Sequence, residues 1–235
     1  SSDLNGLFQK LLVWLKGKEA SNMKTIIKNT VILFAITLVA GLGLGFVYNV
    51  TSDARAEQEE KTKLSAYESV MPGMKDFESV KLDGDCAKFI KNKVKENEKA
   101  NNISTIKPFN GTVDEVVLAK DKDGNNLGYI VTVTDNEAYD GSLQMTVGVT
   151  EDGTVKGISF LSLSETPGLG MKADEDSFKA QFKDKKVNYF VYEKSGASEN
   201  NEIQAISSAT ITSNAVTHGV NAAIYCVDYI TGGGR

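Results

Sequence analysis

The sequence is short of the residues that carry out chemistry unaided. Its 235 residues include one histidine, His218, and two cysteines, Cys86 and Cys226, which are far apart with no CxxC or CxxH spacing nearby. Zinc and iron–sulfur centres need several such ligands close together, so this chain alone cannot build one. The two cysteines are compatible with a disulfide and equally with two unrelated buried thiols, because such bonds follow compartment. A lone histidine among helical neighbours, as His218 is, is more often structural or solvated than a ligand. Positive charge is also in deficit: 26 Lys and Arg stand against 31 Asp and Glu, for a net charge of -5, and the two signs are mixed throughout. Nucleic-acid phosphates require clustered Lys and Arg, so a nucleic-acid partner is set aside. The hydrophobic fraction of 41% is ordinary for a globular chain, and disorder is not the expected class.

One stretch lacks charge altogether. "TVILFAITLVAGLGLGFVYNV", Thr30 to Val50, carries none, and about 20 apolar residues in a helix span a bilayer core of about 30 Å. This predicts a retained transmembrane helix over residues 23–51. A cleaved signal peptide is the rival, but the run is longer than an h-region and no small-residue cleavage pattern stands before "SDARAEQEEK". Lys10, Lys16, Lys18, Lys24 and Lys28 precede the run, and Asp53, Glu57, Glu59 and Glu60 surround Arg55 behind it. The positive-inside rule then puts the N-terminus in the cytoplasm and the main domain outside. Gly41 and Gly45 form a GxxxG, which lets another membrane helix approach closely or simply reflects how common glycine is in such helices. In residues 1–22, Leu4, Leu7, Phe8, Leu11, Leu12, Trp14 and Leu15 recur at helical spacing among lysines. That segment is expected to lie on the cytoplasmic face of the membrane lipid or to dock on a partner.

Residues 52–110 read as a helical and polar connecting region. Its first helix ends at Pro72 and Gly73, and "KNKVKENEKANN" is a solvated loop or exposed helix. From Gly111 the pattern turns to short runs rich in Val, Ile and Thr: "TVDEVVLAK", "LGYIVTVT", "SLQMTVGVT" and "TVKGISFLSL". Turn signals at Asp123-Gly124 and Asp152-Gly153 make these an antiparallel meander. "DKDGNN" opens like a calcium loop, but the later ligand positions are missing and a hairpin turn explains it better. "DEDSFKAQFKDK" puts Phe178 and Phe182 on one helical face, "VNYFVYEK" reads as a strand, and Val216, Val220, Ala223, Ile224 and Val227 mark a final helix with a buried face. The expected fold is α+β: an antiparallel sheet with covering helices over residues 111–235, behind one transmembrane helix.

Two polar motifs stand out. In "SETPGLG", Ser164 to Gly170, Pro167 fixes a turn while Gly168 and Gly170 allow close backbone approach, so the loop can lie against a flat ligand or be an ordinary Pro-Gly turn. In "SSATITS", Ser207, Ser208, Thr210, Thr212 and Ser213 stand at the entrance to the last helix, where free N–H groups and the helix dipole favour a phosphate. N-capping by Thr212 or Ser213 would account for the same residues without a ligand. A catalytic Ser or Thr needs an adjacent base, and His218 lies about two helical turns beyond Thr210, so self-contained hydrolase chemistry is not expected.

"SETPGLGMKA", then "FKAQFKDK", then "SSATITSNAV", behind one N-terminal apolar helix, resemble the G subunit of the Rnf ion-translocating ferredoxin:NAD oxidoreductase complex. The C subunit of the sodium-pumping NADH:quinone oxidoreductase is a close relative of that family. The resemblance runs from Gly111 to the C-terminus and includes the membrane helix by position. It implies FMN attached covalently through its phosphate to the threonine of a Ser/Thr-Gly-Ala-Thr motif, matched here by Ser207-Ser208-Ala209-Thr210 and continued by Ile211, Thr212 and Ser213. Thr210 is then the acceptor, Glu165, Thr166, Gly168 and Leu169 line the isoalloxazine, and Gly170 is a further cofactor-binding residue. Ser208 departs from the family's glycine: attachment suffers if the position needs a glycine-only conformation and survives if it needs only a small residue, and the intact remainder of the motif favours the second. Attachment in the family is the work of a separate flavin transferase, which agrees with the missing base. The function implied is an electron-transfer subunit working with the other membrane subunits of the complex. The alternatives are the equivalent subunit of a quinone reductase and a membrane-anchored binding or assembly domain without redox chemistry.

Overall fold

The computed structural model describes residues 2–100 and 109–232, with the side chains at 2–22 and 98–100 outside that description. The apolar face expected on residues 1–22 therefore lies outside the described residues. The chain divides into two compact units, Ser1–Glu59 and Glu60–Arg235.

The first unit is helical. Helix α1 runs Ser2–Val50, and its Met23–Val50 portion is the one span among the described residues long and apolar enough to cross a membrane. None of that span is buried in protein. Helix α2, Ser52–Val70, follows after Thr51, passes from the first unit into the second at Glu60, and ends two residues before Pro72, as the Pro-Gly signal predicts.

The second unit is built on a six-stranded antiparallel sheet in the order β1-β2-β3-β4-β5-β6. Its strands are β1 Asp76–Ser79, β2 Gly111–Lys120, β3 Asn126–Ala138, β4 Gly141–Val149, β5 Thr154–Ser162 and β6 Lys185–Lys186. The four Val- and Ile-rich runs form β2 to β5, joined in sequence order by short connections, so the meander is as expected. The 121–126 turn is held by Asp121, whose carboxylate accepts from the backbone N–H of Asp123 and Asn125, a turn geometry that needs no calcium. The sheet extends ahead of the expected start at residue 111, because β1 pairs with β2 from Asp76↔Lys120 to Ser79↔Val117.

Alternation along the strands covers both faces. Val116, Val131, Val133, Met145 and Val147 point to one side, where helix α5, Thr210–Ile230, packs; Val117 and Ile130 point to the other, against Tyr67, Val70 and Met71 from the end of α2. The α2 side is close enough that a Cβ on Gly148 would stand 2.1 Å from the carbonyl oxygen of Val70. Helix α3, Gly84–Ala100, packs on α5 through Cys86 and Ile90 and gives the polar 91–102 stretch a helical form up to residue 100.

Two local expectations are corrected. The helix expected at "DEDSFKAQFKDK" is a single α turn, α4 Asp176–Lys179, followed by a 3-10 turn at Ala180–Phe182, which sets Phe182 edge-on to both Phe178 and Phe190. The strand expected over "VNYFVYEK" shrinks to β7, Val191–Glu193, paired in parallel with β8, Glu202–Gln204. Asn221 of α5 is the reason: its side chain donates to the Phe190 carbonyl at 2.9 Å and accepts from the Phe190 N–H at 2.7 Å, which removes both groups from any ladder.

Candidate functional site

The two polar motifs, some forty residues apart in the chain, meet at one cleft of about 470 Å³. Glu165, Thr166, Leu169 and Gly170 form one wall and Ser208, Ala209, Thr210, Ile211 and Thr212 the other. Their junction is Gly170. A Cβ there would stand 2.4 Å from Glu165 Oε2 and 2.7 Å from Thr212 Oγ1, so only glycine lets the walls close on each other.

The first wall is shaped by a turn. Leu169 N–H donates to the Thr166 carbonyl at 3.1 Å across Pro167-Gly168, with Gly168 at φ 77, as a type II turn requires. This arrangement leaves Leu169 40% exposed at the cleft. Glu165 is buried and fixed: its Oε1 accepts from the backbone N–H of Tyr139 at 2.9 Å and of Asp140 at 3.4 Å, at the β3–β4 hairpin. Tyr139 itself lines the cleft and is 68% exposed. Sequence reasoning missed this residue. Its signal was an aromatic at a hairpin tip, which pattern alone does not distinguish from a surface tyrosine.

The second wall is the start of α5. The N-cap position falls on Ala209, with no side-chain cap, so neither Thr212 nor Ser213 serves as the expected cap. Ser213 is engaged elsewhere: it accepts from Ile206 N–H at 2.9 Å and donates to the Ala209 carbonyl at 3.0 Å, tying the turn before the helix to its first turn. Thr212 is fully buried, and its Oγ1 has no hydrogen-bond partner among the described residues. Thr210 is half-buried at the first helical position, facing the cleft. Ser207 and Gly168 shape the two turns without lining the cleft.

The backbone at Ser208 shows which conformation its position takes. Ala209 N–H donates to the Ile206 carbonyl at 3.0 Å, closing a turn whose third residue, Ser208, has φ 65. The position thus has a glycine-favouring conformation at an exposed residue. Serine adopts it at a cost of about 1 kcal/mol, small enough to be carried by the surrounding packing.

His218 stands apart from the cleft. It is buried against Phe190 and Tyr225, and burial alone pushes its pKa down to about 4. Neutral and remote, it is no base for Thr210. What remains is a cradle with an uncapped helix start, an unpartnered buried hydroxyl, and two exposed apolar side chains at its edge. Such a cradle suits a ligand that is anionic at one end and flat at the other.

That is the class of an FMN-binding domain, and residues 138–225 match the family model described by that name. The matched range begins beside Tyr139 and contains both walls. Residues 19–70 match the model of the RnfG N-terminal region, covering most of α1 and all of α2. The G subunit of the Na(+)-translocating ferredoxin:NAD(+) oxidoreductase complex of Acetobacterium woodii is 35% identical over 213 residues, 89% of this chain and 95% of that protein. The G subunit of the proton-translocating complex of Clostridium ljungdahlii is 32% identical over 218 residues, 93% of this chain and 98% of that protein. The C subunit of the Na(+)-translocating NADH-quinone reductase of Vibrio vulnificus is 34% identical, but over 106 residues only, 41% of this chain and 42% of that protein. The chain belongs to the family of Rnf complex G subunits.

Proposed function

We propose that this protein is the membrane-anchored electron-transfer subunit of an ion-translocating ferredoxin:NAD oxidoreductase complex, with FMN joined through its phosphate to the hydroxyl of Thr210. The observation that carries the reading is the junction at Gly170, where a TPGLG turn meets an uncapped helix start and leaves Thr212 Oγ1 without a partner. The cleft fits the group: the N–H groups of the first turn of α5 would hold its phosphate, and Tyr139 and Leu169 would offer apolar surface to its flat ring. When bound, FMN supplies one- and two-electron chemistry. The chain's own part is to orient the ring and hold the phosphate end at the helix N-terminus. Glu165, fixed by two backbone donors, keeps the Tyr139 hairpin and the Gly170 wall in register.

The buried, neutral His218 lies outside the cleft, which supports attachment by a separate flavin transferase acting on FAD. The Thr210 oxygen would accept the FMN phosphoryl group, with AMP as the leaving group and the proton taken by that enzyme. The lysines in the part of α1 ahead of its uncharged run and the acidic start of α2 support an N-terminus in the cytoplasm and a flavin domain outside, among the other membrane subunits. The match to Rnf relatives over nine-tenths of the chain favours the Rnf assignment over the quinone-reductase one. The test is denaturing electrophoresis of the native protein under ultraviolet light. A flavin-fluorescent band is expected, and Thr210→Val abolishes it; a band that survives the substitution moves the attachment site, and no band in the native protein removes the covalent claim.

A further inference from the structure

Two thiols meet where α3 lies on α5. Cys86, in the first turn of α3, and Cys226, near the end of α5, bring their Sγ atoms to 3.7 Å, with Cys86 2% exposed and Cys226 fully buried. The surroundings fix this approach. Asp83 accepts from the Tyr229 hydroxyl at 2.7 Å and 2.8 Å, and from the backbone N–H of Asp85 and Cys86 at 3.1 Å and 3.2 Å. Phe89 packs on the Tyr229 ring with centroids 5.4 Å apart. One carboxylate thus clamps the start of α3 to the end of α5, and the sulfurs face each other inside that clamp.

We propose that Cys86 and Cys226 are an oxidisable pair that closes into a disulfide and staples α3 to α5 in the mature protein. The proposal rests on the extracytoplasmic placement given above, where disulfides form and persist. Closure to a bond of about 2.05 Å needs side-chain rotation and a small approach of two groups already in contact. Cys86 lines a surface cleft with Leu82, Ile90 and Phe109, and Cys226 does not, so Cys86 is the reachable sulfur. The Cys226 contact holds the Cys86 thiol below the ordinary cysteine range, and the same contact together with burial pushes Cys226 up, which makes Cys86 the attacking thiolate. It displaces one sulfur of a disulfide-carrying thiol oxidant to give a mixed disulfide, and Cys226 then displaces the second. Two thiols lose two protons and two electrons, one S–S bond forms in the chain, and the oxidant's disulfide becomes two thiols. The staple has a use: α3 is otherwise a largely polar helix fastened by few buried side chains.

The experiment uses the full-length chain from membranes of cells grown without added reductant, acid-quenched, denatured and treated with a maleimide. Asp123→Cys, at the exposed β2–β3 turn, reports in intact cells through a membrane-impermeant maleimide which side the domain occupies. We expect labelled Asp123→Cys, no maleimide on the unreduced wild-type chain and two after reduction. Thermal unfolding should fall on the order of 10 °C when the native chain is reduced. Labelled Asp123→Cys together with two maleimides on the unreduced wild-type chain overturns the disulfide while leaving the topology intact. Shielded Asp123→Cys with two free thiols overturns the placement and the disulfide with it.

Discussion

Helices α1 and α5 are both rich in apolar residues, and they are oppositely covered. Along Met23–Val50 the large apolar side chains are 46% to 72% exposed, whereas Thr212–Asp228 of α5 is buried without a break. The polar groups differ in the same sense. Thr30 and Thr37 of α1 return their hydroxyls to carbonyls of their own helix, Ile26 at 2.9 Å and Phe34 at 3.0 Å, the arrangement a helix in hydrocarbon needs. Thr217 of α5 makes the same kind of bond, to the Ser213 carbonyl at 2.8 Å, but Ser213 and Asn221 also reach other segments, and Thr212 Oγ1 has no partner among the described residues. Apolarity says only that a helix leaves water. Side chains that bond to other segments mark the helix received by protein, and Thr212 Oγ1 is the buried polar atom without a partner that lines the cleft.

A charge placed in each helix separates the two cases most sharply. Val220→Asp buries a carboxylate between α5 and the sheet and should lower the domain's stability by about 4 kcal/mol, read by denaturant unfolding of the detergent-solubilised chain. Leu42→Asp should leave that transition in place and instead weaken membrane insertion by about 3 kcal/mol, read by carbonate extraction. Equal loss of domain stability from both would break the comparison.

His218 gives the next largest effect, through pH. Burial holds its folded pKa at about 4, below the unfolded value of about 6.5, so the unfolded chain binds a proton between those values and the folded chain does not. Stability should therefore fall by about 3 kcal/mol as pH drops from 6.5 to 4 and change no further from this group below that. His218→Gln removes this part of the pH dependence, and an unchanged slope in the variant contradicts the assignment. Asn221→Ala comes third: it strands the Phe190 N–H and carbonyl and should cost about 2 kcal/mol, with amide exchange at Phe190 rising first. Ser208→Gly is smallest, a gain below about 1 kcal/mol as the left-handed strain is relieved, partly offset by the freer unfolded chain.

Much of this was legible in the sequence because it is periodic. The uncharged run gave α1, and alternation gave β2 to β5 with their Asp-Gly turns. The walls of the cleft were also legible, since Pro167-Gly168 and the Ser/Thr run are local signals. What escaped depends on distant partners. Phe190 looks like strand until Asn221, thirty-one residues on, takes both its backbone groups. The helix-capping reading of Thr212 and Ser213 failed because Ser213 bonds back to Ile206 and leaves the cap to Ala209. Tyr139 joins the cleft only through Glu165, which no spacing rule connects to it. The φ of Ser208 follows from a turn closed between Ile206 and Ala209, where the motif's usual glycine has its reason.

The central claim is that the unpartnered helix start of α5 holds FMN through Thr210. Tandem mass spectrometry of the peptide spanning Ala205 to Val220 from the native full-length protein tests it most directly. FMN linked by a phosphodiester to the Thr210 oxygen is the predicted result; FMN on Ser207 or Ser208, or a peptide from the native chain carrying no flavin, would contradict it.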